Sequence, residues 1–552
     1  MNYKKINIAM LLMIIMNVFL LRAEEISLKI TKNYLNLPVS HKVERSEMTF
    51  IINGRNERKF DIRLATSDPD YWVFCDVSAL RGKTLTIKYS GNTQGLNLIY
   101  QDDRIAGQDS LYLEKNRPQF HFTTRRGWNN DPNGLVFYEG EYHLFYQHNP
   151  YEREWGNMHW GHAVSRDLIH WEELPIALYP DQHGTMFSGS AVIDDDNTSG
   201  FGKGNIPPMV AIYTADNPEK QIQCIAYSLD KGRTWTKYDG NPVVDSMEKW
   251  NSKDTRDPKV FWYRPSKHWV MALHERDGHS IYTSSNLKDW KYQSHTTGFW
   301  ECPEFFELAV DGNLTNTKWV MYGASGTYMI GSFDGRKFTP EHGKYYYATG
   351  SIYAAQTYTN VPASDGRRIQ IGWGRISHPD MPFNSQMNLP TSLTLKTTKD
   401  GIRLFSEPVK EVDVLQEHGQ QWTSLTAQQA NDLLVQFKGK DYLRVKTTFK
   451  LSHATSAGLN LNGQELIHYD MNFNQVNRVY YSPEDMTLME ITADIFIDKT
   501  SVEVFIDHGA YSFSMERRFR ENNTEGFRFW GNNIEIINME VYSMKSIWQN
   551  SK

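Results

Sequence analysis

The sequence predicts an all-β protein built around a β-propeller. Three observations carry this reading. Four segments repeat a Ser, an acidic or amide residue, a polar turn and an aromatic: Ser165-Arg-Asp167-Leu-Ile-His-Trp171, Ser228-Leu-Asp230-Lys-Gly232-Arg-Thr-Trp235, Ser285-Asn286-Leu-Lys-Asp289-Trp290 and Ser332-Phe-Asp334-Gly335-Arg-Lys-Phe338. Their intervals suit four-stranded blades, in which one outer hairpin turn recurs per blade. Between 120 and 400 apolar residues alternate, as in Ile225-Ala-Tyr-Ser and Ile281-Tyr-Thr-Ser, and helical periodicity is hard to find. Beyond about 405 the alternation continues with polar turns, for example Ser501-Val-Glu-Val-Phe505, which fits a C-terminal β-sandwich.

The N-terminus starts Met-Asn-Tyr-Lys4-Lys5, runs mostly apolar from Ile6 to Leu21 and turns polar at Arg22-Ala23-Glu24. A positive start and a short apolar run fit a secretory signal peptide over 1–23, and an exported mature protein with no membrane span. Residues 24–115 read as a small accessory β domain. Its strand-like runs include Tyr71-Trp72-Val73-Phe74-Cys75 and Gly82-Lys-Thr-Leu-Thr-Ile-Lys-Tyr89, with Trp72 read as a core residue. The propeller is expected over 116–400 and the sandwich over 401–552.

Composition narrows the function classes. A formal net charge of −6 and no long basic run argue against a nucleic-acid partner. The three cysteines, Cys75, Cys224 and Cys302, lie far apart and in no metal-ligand spacing, so neither a disulfide framework nor a metal site is expected. The chain holds 16 Trp and 30 Tyr, a supply suited to carbohydrate surfaces as well as to a β-rich core.

The openings of the repeat units carry the chemistry. Unit one opens with Asn130-Asp131-Pro132-Asn133-Gly134, unit two with Phe187-Ser188-Gly189-Ser190, unit three with Arg256-Asp257-Pro258 and unit four with Trp300-Glu301-Cys302-Pro303. A fifth unit opens near Ser351-Ile-Tyr353-Ala-Ala-Gln356. In a propeller the first strand of each blade lines the axis, so Asp131, Asp257 and Glu301 are expected at equivalent positions around one funnel. A proline after Asp131 holds that acid extended. Like charges in one recess repel, and a fold does not gather them without a use. Paired carboxylates, one ionised and one protonated, suit glycoside hydrolysis, and a third can bind sugar hydroxyls. The residues alone leave open which acid fills which role.

Trp-Asn-Asn-Asp-Pro-Asn-Gly at 128–134, Arg-Asp-Pro at 256–258 and Trp-Glu-Cys-Pro at 300–303 resemble the three signature motifs of glycoside hydrolase family 32. That family includes invertases, inulinases and levanases. Tyr146-Gln147-His148-Asn149-Pro150, Trp155 to His162, Phe187 to Ser190 and Ile497 to Phe505 agree in order, so the resemblance spans roughly 117–545. It implies a five-bladed β-propeller followed by a β-sandwich, and a retaining mechanism through a fructosyl-enzyme. Asp131 then matches the nucleophile, Glu301 the acid/base and Asp257 the transition-state stabiliser. Asn130, Gln147, Trp155, Phe187, Ser188 and Arg256 match substrate-pocket positions. Phe383-Asn384 departs from a Trp-Arg pair that many members carry. No cofactor is implied.

The expected activity is cleavage of β-fructosidic bonds in fructan (inulin or levan), exo-acting with release of fructose, and also in sucrose. Two alternatives use the same scaffold: a fructosyltransferase, which captures the intermediate with a sugar, and a carbohydrate-binding propeller without catalysis. The oligomeric state is not legible in the sequence.

Overall fold

The computed structural model describes residues 24–451, 455–480, 490–517 and 525–548, so the expected signal peptide lies outside the described residues. The chain forms two compact units. One contains the residues up to Leu111 together with Pro150–Asn157, and the other contains the rest.

In the first unit, Glu24–Lys29, Thr84–Tyr89, Ser46–Ile52 and Arg55–Ile62 form one antiparallel sheet in that order. Tyr71–Asp76, Tyr34–Val39 and Tyr100–Asp102 form another. Alternation sends Tyr71, Val73 and Cys75 into a core shared with Leu35, Leu37 and Val39. Trp72 therefore falls on the opposite face, half-buried and edge-on to Tyr100 at 5.3 Å, rather than in the core. The period of two decides this, because both neighbours of Trp72 point inward. The segment Pro150–Asn157 completes the unit: Tyr151 stacks on Phe60 at 3.7 Å, and the buried Glu152 carboxylate accepts from Arg45 Nε (2.8 Å) and Arg63 Nη1 (2.7 Å).

The second unit holds the propeller and the sandwich. Blade one pairs Gly127–Tyr138, Glu141–Asn149, His159–Ser165 and Trp171–Leu178, with Phe383–Asn384 added parallel to Gly127-Trp128. Blade two contains Thr185–Ile193, Met209–Asp216, Gln221–Ser228 and Thr236–Lys237. Thr255–Tyr263, His268–Glu275, Gly278–Ser284 and Lys291–Thr297 form blade three. Blade four contains Glu304–Val310, Asn313–Tyr322, Thr327–Phe333 and Phe338–Tyr346. Ile352–Thr357, Arg368–Gly374, Thr391–Thr398 and Gly401–Pro408 make blade five. The hairpin Thr391–Thr398/Gly401–Pro408 straddles the boundary expected at 400, so we place the end of the propeller after 408.

The repeated turn joins the third and fourth strands of blades one to four. The serine hydroxyl donates to the side chain two residues on, at 3.0 Å from Ser165 to Asp167, 2.7 Å from Ser228 to Asp230 and 3.1 Å from Ser284 to Asn286. The serine of the third turn is thus Ser284, not Ser285. The next residue is left-handed each time, at Leu168, Lys231, Leu287 and Gly335. Side-chain acceptors that satisfy the turn's own N–H groups make this conformation repeatable.

The sandwich stacks two sheets over one core that includes Val445, Phe449, Ile467, Ile495, Val504 and Phe529. The larger sheet runs Ala348–Gly350, Tyr511–Glu516, Ser501–Ile506, Glu490–Ile497, Leu443–Leu451, Ile534–Met544 and Gln416–Thr426. Its edge strand, Ala348–Gly350, comes from the link between blades four and five and pairs parallel with Ser512–Ser514. His121, on the approach to blade one, lies buried between two sandwich acids: Nδ1 is 2.7 Å from Asp498 and Nε2 3.0 Å from Glu503. Burial pulls this imidazole down, but the two carboxylates more than offset it and push it up to about 9.

Candidate active site

The first strand of four blades carries the same irregularity. In blade one, register passes from Asn129↔His148 to Pro132↔Tyr146, so Asn130-Asp131 hold one residue more than the partner strand. The same bulge occurs at Phe187-Ser188 in blade two, Asp257-Pro258 in blade three and Ala354-Ala355 in blade five. A β-bulge bends its strand and re-aims side chains, which is why such sites gather functional groups.

This register corrects one expectation. Asp131 and Asp257 each precede proline, but they do not occupy equivalent positions. Asp257 stands where blade one has Asn130, and Pro258 stands where it has Asp131. The two acids approach each other from adjacent bulge positions, with Asp257 aimed by a left-handed φ of 63°. Blade four brings its acid in differently. Glu301 and Cys302 are consecutive left-handed residues just before the strand begins, and the Ala324 amide donates to both Trp300 O and Glu301 O at 3.1 Å. A Cβ on Gly323 would sit 2.8 Å from Trp300 O, so only glycine lets this turn pack. Left-handed non-glycine residues cost about 1–3 kcal/mol each and persist only where the surroundings impose them.

Hydrogen bonds join the acids into one cluster. Asp131 Oδ2 accepts from Ser188 Oγ at 2.7 Å, and its Oδ1 accepts from Asn130 Nδ2 at 3.2 Å. Trp128 Nε1 in turn holds Asn130 Oδ1 at 2.8 Å. Asp257 Oδ2 accepts from the Cys302 amide at 3.0 Å, and the Asp257 amide donates to Thr214 Oγ1 at 2.9 Å. The Cys302 thiol lies 3.5 Å from both Asp131 Oδ2 and Asp257 Oδ2. Burial, and then the three surrounding carboxylates, raise the thiol well above its usual range, so it stays protonated and can donate. Arg256 is the cation at the cluster: Nη2 is 3.4 Å from Glu301 Oε1 and Nε 3.8 Å from Asp257 Oδ2.

Three acids and one guanidinium leave the site short of positive charge. Burial raises Asp131, with Glu301 adding to the effect against the Ser188 and Asn130 hydrogen bonds. Asp257 rises to about 7 through burial, with Arg256 opposing and Asp131 and Glu301 reinforcing. Such a cluster can hold one carboxyl protonated beside another ionised, the condition for paired acid and nucleophilic catalysis.

The geometry gathers Asp131, Asp257, Glu301, Asn130, Ser188 and Arg256. Gln147, on the second strand of blade one, donates to Met186 O at 2.8 Å and so supports the bulge that presents Phe187 and Ser188. Trp155 belongs to the other unit, on the segment Pro150–Asn157, and is 55% exposed. Three participants escaped the sequence reading as site residues. Cys302 and Thr214 were unrecognised because a thiol or hydroxyl acting on a distant carboxylate leaves no spacing signal. Tyr353, whose phenol is raised by burial and by Glu301, Cys302 and Asp131, stood in the fifth opening without a role assigned to it.

Known proteins resemble this chain over most of its length. Residues 121–408 match the model of the glycosyl hydrolases family 32 N-terminal domain, and residues 24–104 match a domain of unknown function, DUF4980. A levanase of Bacillus subtilis is 39% identical over 496 residues, covering 80% of this chain and 72% of the relative. An extracellular exo-inulinase of Aspergillus niger is 34% identical over 520 residues, covering 79% of this chain and 96% of the relative. The crystal structure of exo-inulinase from Aspergillus awamori superposes with a TM-score of 0.69 at 30% identity, covering 79% of this chain and 100% of that one.

Proposed function

The chain belongs to glycoside hydrolase family 32, and on that footing we propose that it is a retaining, exo-acting β-fructosidase of fructans that releases fructose and also accepts sucrose. One observation carries the reading: carboxylates from three blades meet around the Cys302 thiol and amide, and Asp131 accepts two hydrogen bonds that aim it.

In this reading Asp131 attacks the anomeric carbon of the fructosyl unit as its glycosidic C–O bond breaks. Glu301 gives its proton to the departing oxygen. Glu301, now a carboxylate, takes a proton from water as that water displaces Asp131, which restores both groups and adds one water across the bond. Asp257 accepts hydrogen bonds from fructosyl hydroxyls and stabilises the developing positive charge. Asn130, Gln147, Phe187, Ser188 and Arg256 line the fructosyl pocket. The relatives described as extracellular support export, and among the described residues no helix is long and apolar enough to cross a membrane.

Digestion of inulin, levan and sucrose, with products resolved by size, tests the reading. Fructose alone from the polymers is the expected result, and a ladder of oligosaccharides would mean endo cleavage. Sugar transferred to sugar as the main product at high sucrose would favour the fructosyltransferase.

A further inference from the structure

We infer that Trp300 is a positioning residue for the acid/base, its indole N–H reserving one oxygen of Glu301 so that the transferable proton resides on the other. The inference rests on the acid/base role proposed for Glu301. Trp300 Nε1 donates to Glu301 Oε1 at 2.6 Å, and Arg256 Nη2 reaches the same oxygen at 3.4 Å. Indole and guanidinium nitrogens only donate. An oxygen facing two such donors cannot also carry a proton without setting hydrogen against hydrogen. The acid proton therefore sits on Oε2, and Oε2 is the atom that must face the departing glycosidic oxygen.

Trp300 is poorly explained as a packing residue, because it is 48% exposed. Its ring is nevertheless held. The His274 ring meets it edge to face at 4.7 Å and 66°, and the Arg256 guanidinium lies 5.3 Å from the ring centre. His274 is itself buried, and its Nδ1 donates to Gly278 O at 3.1 Å, which fixes the tautomer. Burial and the neighbouring Arg256 hold this imidazole down at about 4, so it stays neutral beside the guanidinium. Below the ring, Trp300 O and Glu301 O share the Ala324 amide, so the backbone bearing donor and acceptor turns as one piece. Blade three and the Ala324 turn together set the indole at one angle to one carboxyl oxygen. An exposed tryptophan serving only as a platform for sugar would need none of this.

Trp300→Phe separates the two, since it keeps the ring and removes the N–H. The measurements are kcat and KM, each against pH, on a fructan and on β-fructosyl fluoride, whose leaving group needs little proton donation. A hydrogen bond to a charged group is worth roughly 1.5–3 kcal/mol, so a loss of about 10- to 100-fold is expected on fructan. The loss on the fluoride should be at least about tenfold smaller, because proton donation contributes little there. The N–H stabilises the carboxylate more than the acid, so its removal should also move the basic limb of the fructan profile to higher pH. Equal losses on both substrates, a change confined to KM, or an unmoved basic limb would each overturn the inference. Glu301→Gln serves as the control for the underlying role: it should abolish fructan hydrolysis while fluoride release persists. Full fructan activity in Glu301→Gln would remove the acid/base reading itself, an outcome distinct from failure of Trp300→Phe alone.

Discussion

Two clusters of ionisable groups in the second unit show opposite design. At the propeller axis, Asp257 and Glu301 share the Arg256 guanidinium, Asp131 stands beside them, and two of the three acids stand on left-handed backbone. At the sandwich, His121 lies between Asp498 and Glu503, which also accept from the amides of Gln119, Phe120 and Leu389 and from Asn388 Nδ2. There each carboxylate has a cation and further donors. Burial acts on both clusters, but only in the second does every carboxylate contact the cation. Asp498 is accordingly held below the usual carboxylate range by His121 and backbone donors against burial, whereas Asp257 is raised. A satisfied cluster holds elements together, and an unsatisfied one stores the instability that chemistry uses.

Three substitutions would break or sharpen this contrast. Asp131→Asn has the largest expected effect: loss of the nucleophile should lower kcat on fructan by about 10⁴-fold or more, worth ~5.5 kcal/mol. The fold should be unharmed, since a charge is removed from a crowded site. Residual activity within tenfold of the parent enzyme would place the nucleophile elsewhere.

His121→Leu should do the reverse. Removing the cation leaves two buried carboxylates uncompensated, and urea unfolding at pH 7 should show a loss of about 3–5 kcal/mol. The pH dependence gives the sign. The folded imidazole titrates near 9 against an ordinary 6.5, so its contribution is complete below about 6.5 and is lost as pH rises through 9. Parent enzyme and variant should therefore converge in stability above pH 9, and a constant gap across that range would refute the charged role of His121.

Asp257→Asn should change stability with the sign opposite to His121→Leu. Fructan hydrolysis should fall about 10²- to 10³-fold, the usual range for losing one transition-state stabiliser. Unfolding stability at pH 8 should rise by on the order of 4 kcal/mol, as a raised carboxyl no longer has to ionise in the recess. Asp257 titrates near 7 when folded against an ordinary 3.8, so its cost is absent below 3.8 and complete above about 7. The gain should vanish near pH 4. A destabilised variant at pH 8 would mean that the carboxylate is better partnered than its surroundings indicate.

Much of the site was legible because its chemistry is local. Asp131, Asp257 and Glu301 sit in short runs with proline close behind, and the repeated Ser-x-Asp turn declares a blade by hydrogen bonds within four residues. What failed to show were relations across strands. Asp-Pro at 131–132 and at 257–258 look interchangeable on paper, yet pairing with Tyr146 and Ala272 shifts them by one position. The spacing alone puts Ser285 in the third turn, whereas the strand register and the Ser284 hydrogen bond to Asn286 make it Ser284. The role of Cys302 depends on two carboxylates 171 and 45 residues away.

The sequence by itself determined the class of fold and the family and pointed to the three acids, because strand alternation, turn chemistry and short motifs are properties of neighbouring residues. Tertiary structure alone decided how the acids are set against one another. Bulges that shift register, a left-handed turn at Glu301-Cys302, and donors arriving from other blades fix which oxygen is bonded and which is free. Those are consequences of packing between strands far apart in the chain, and no window of sequence contains them.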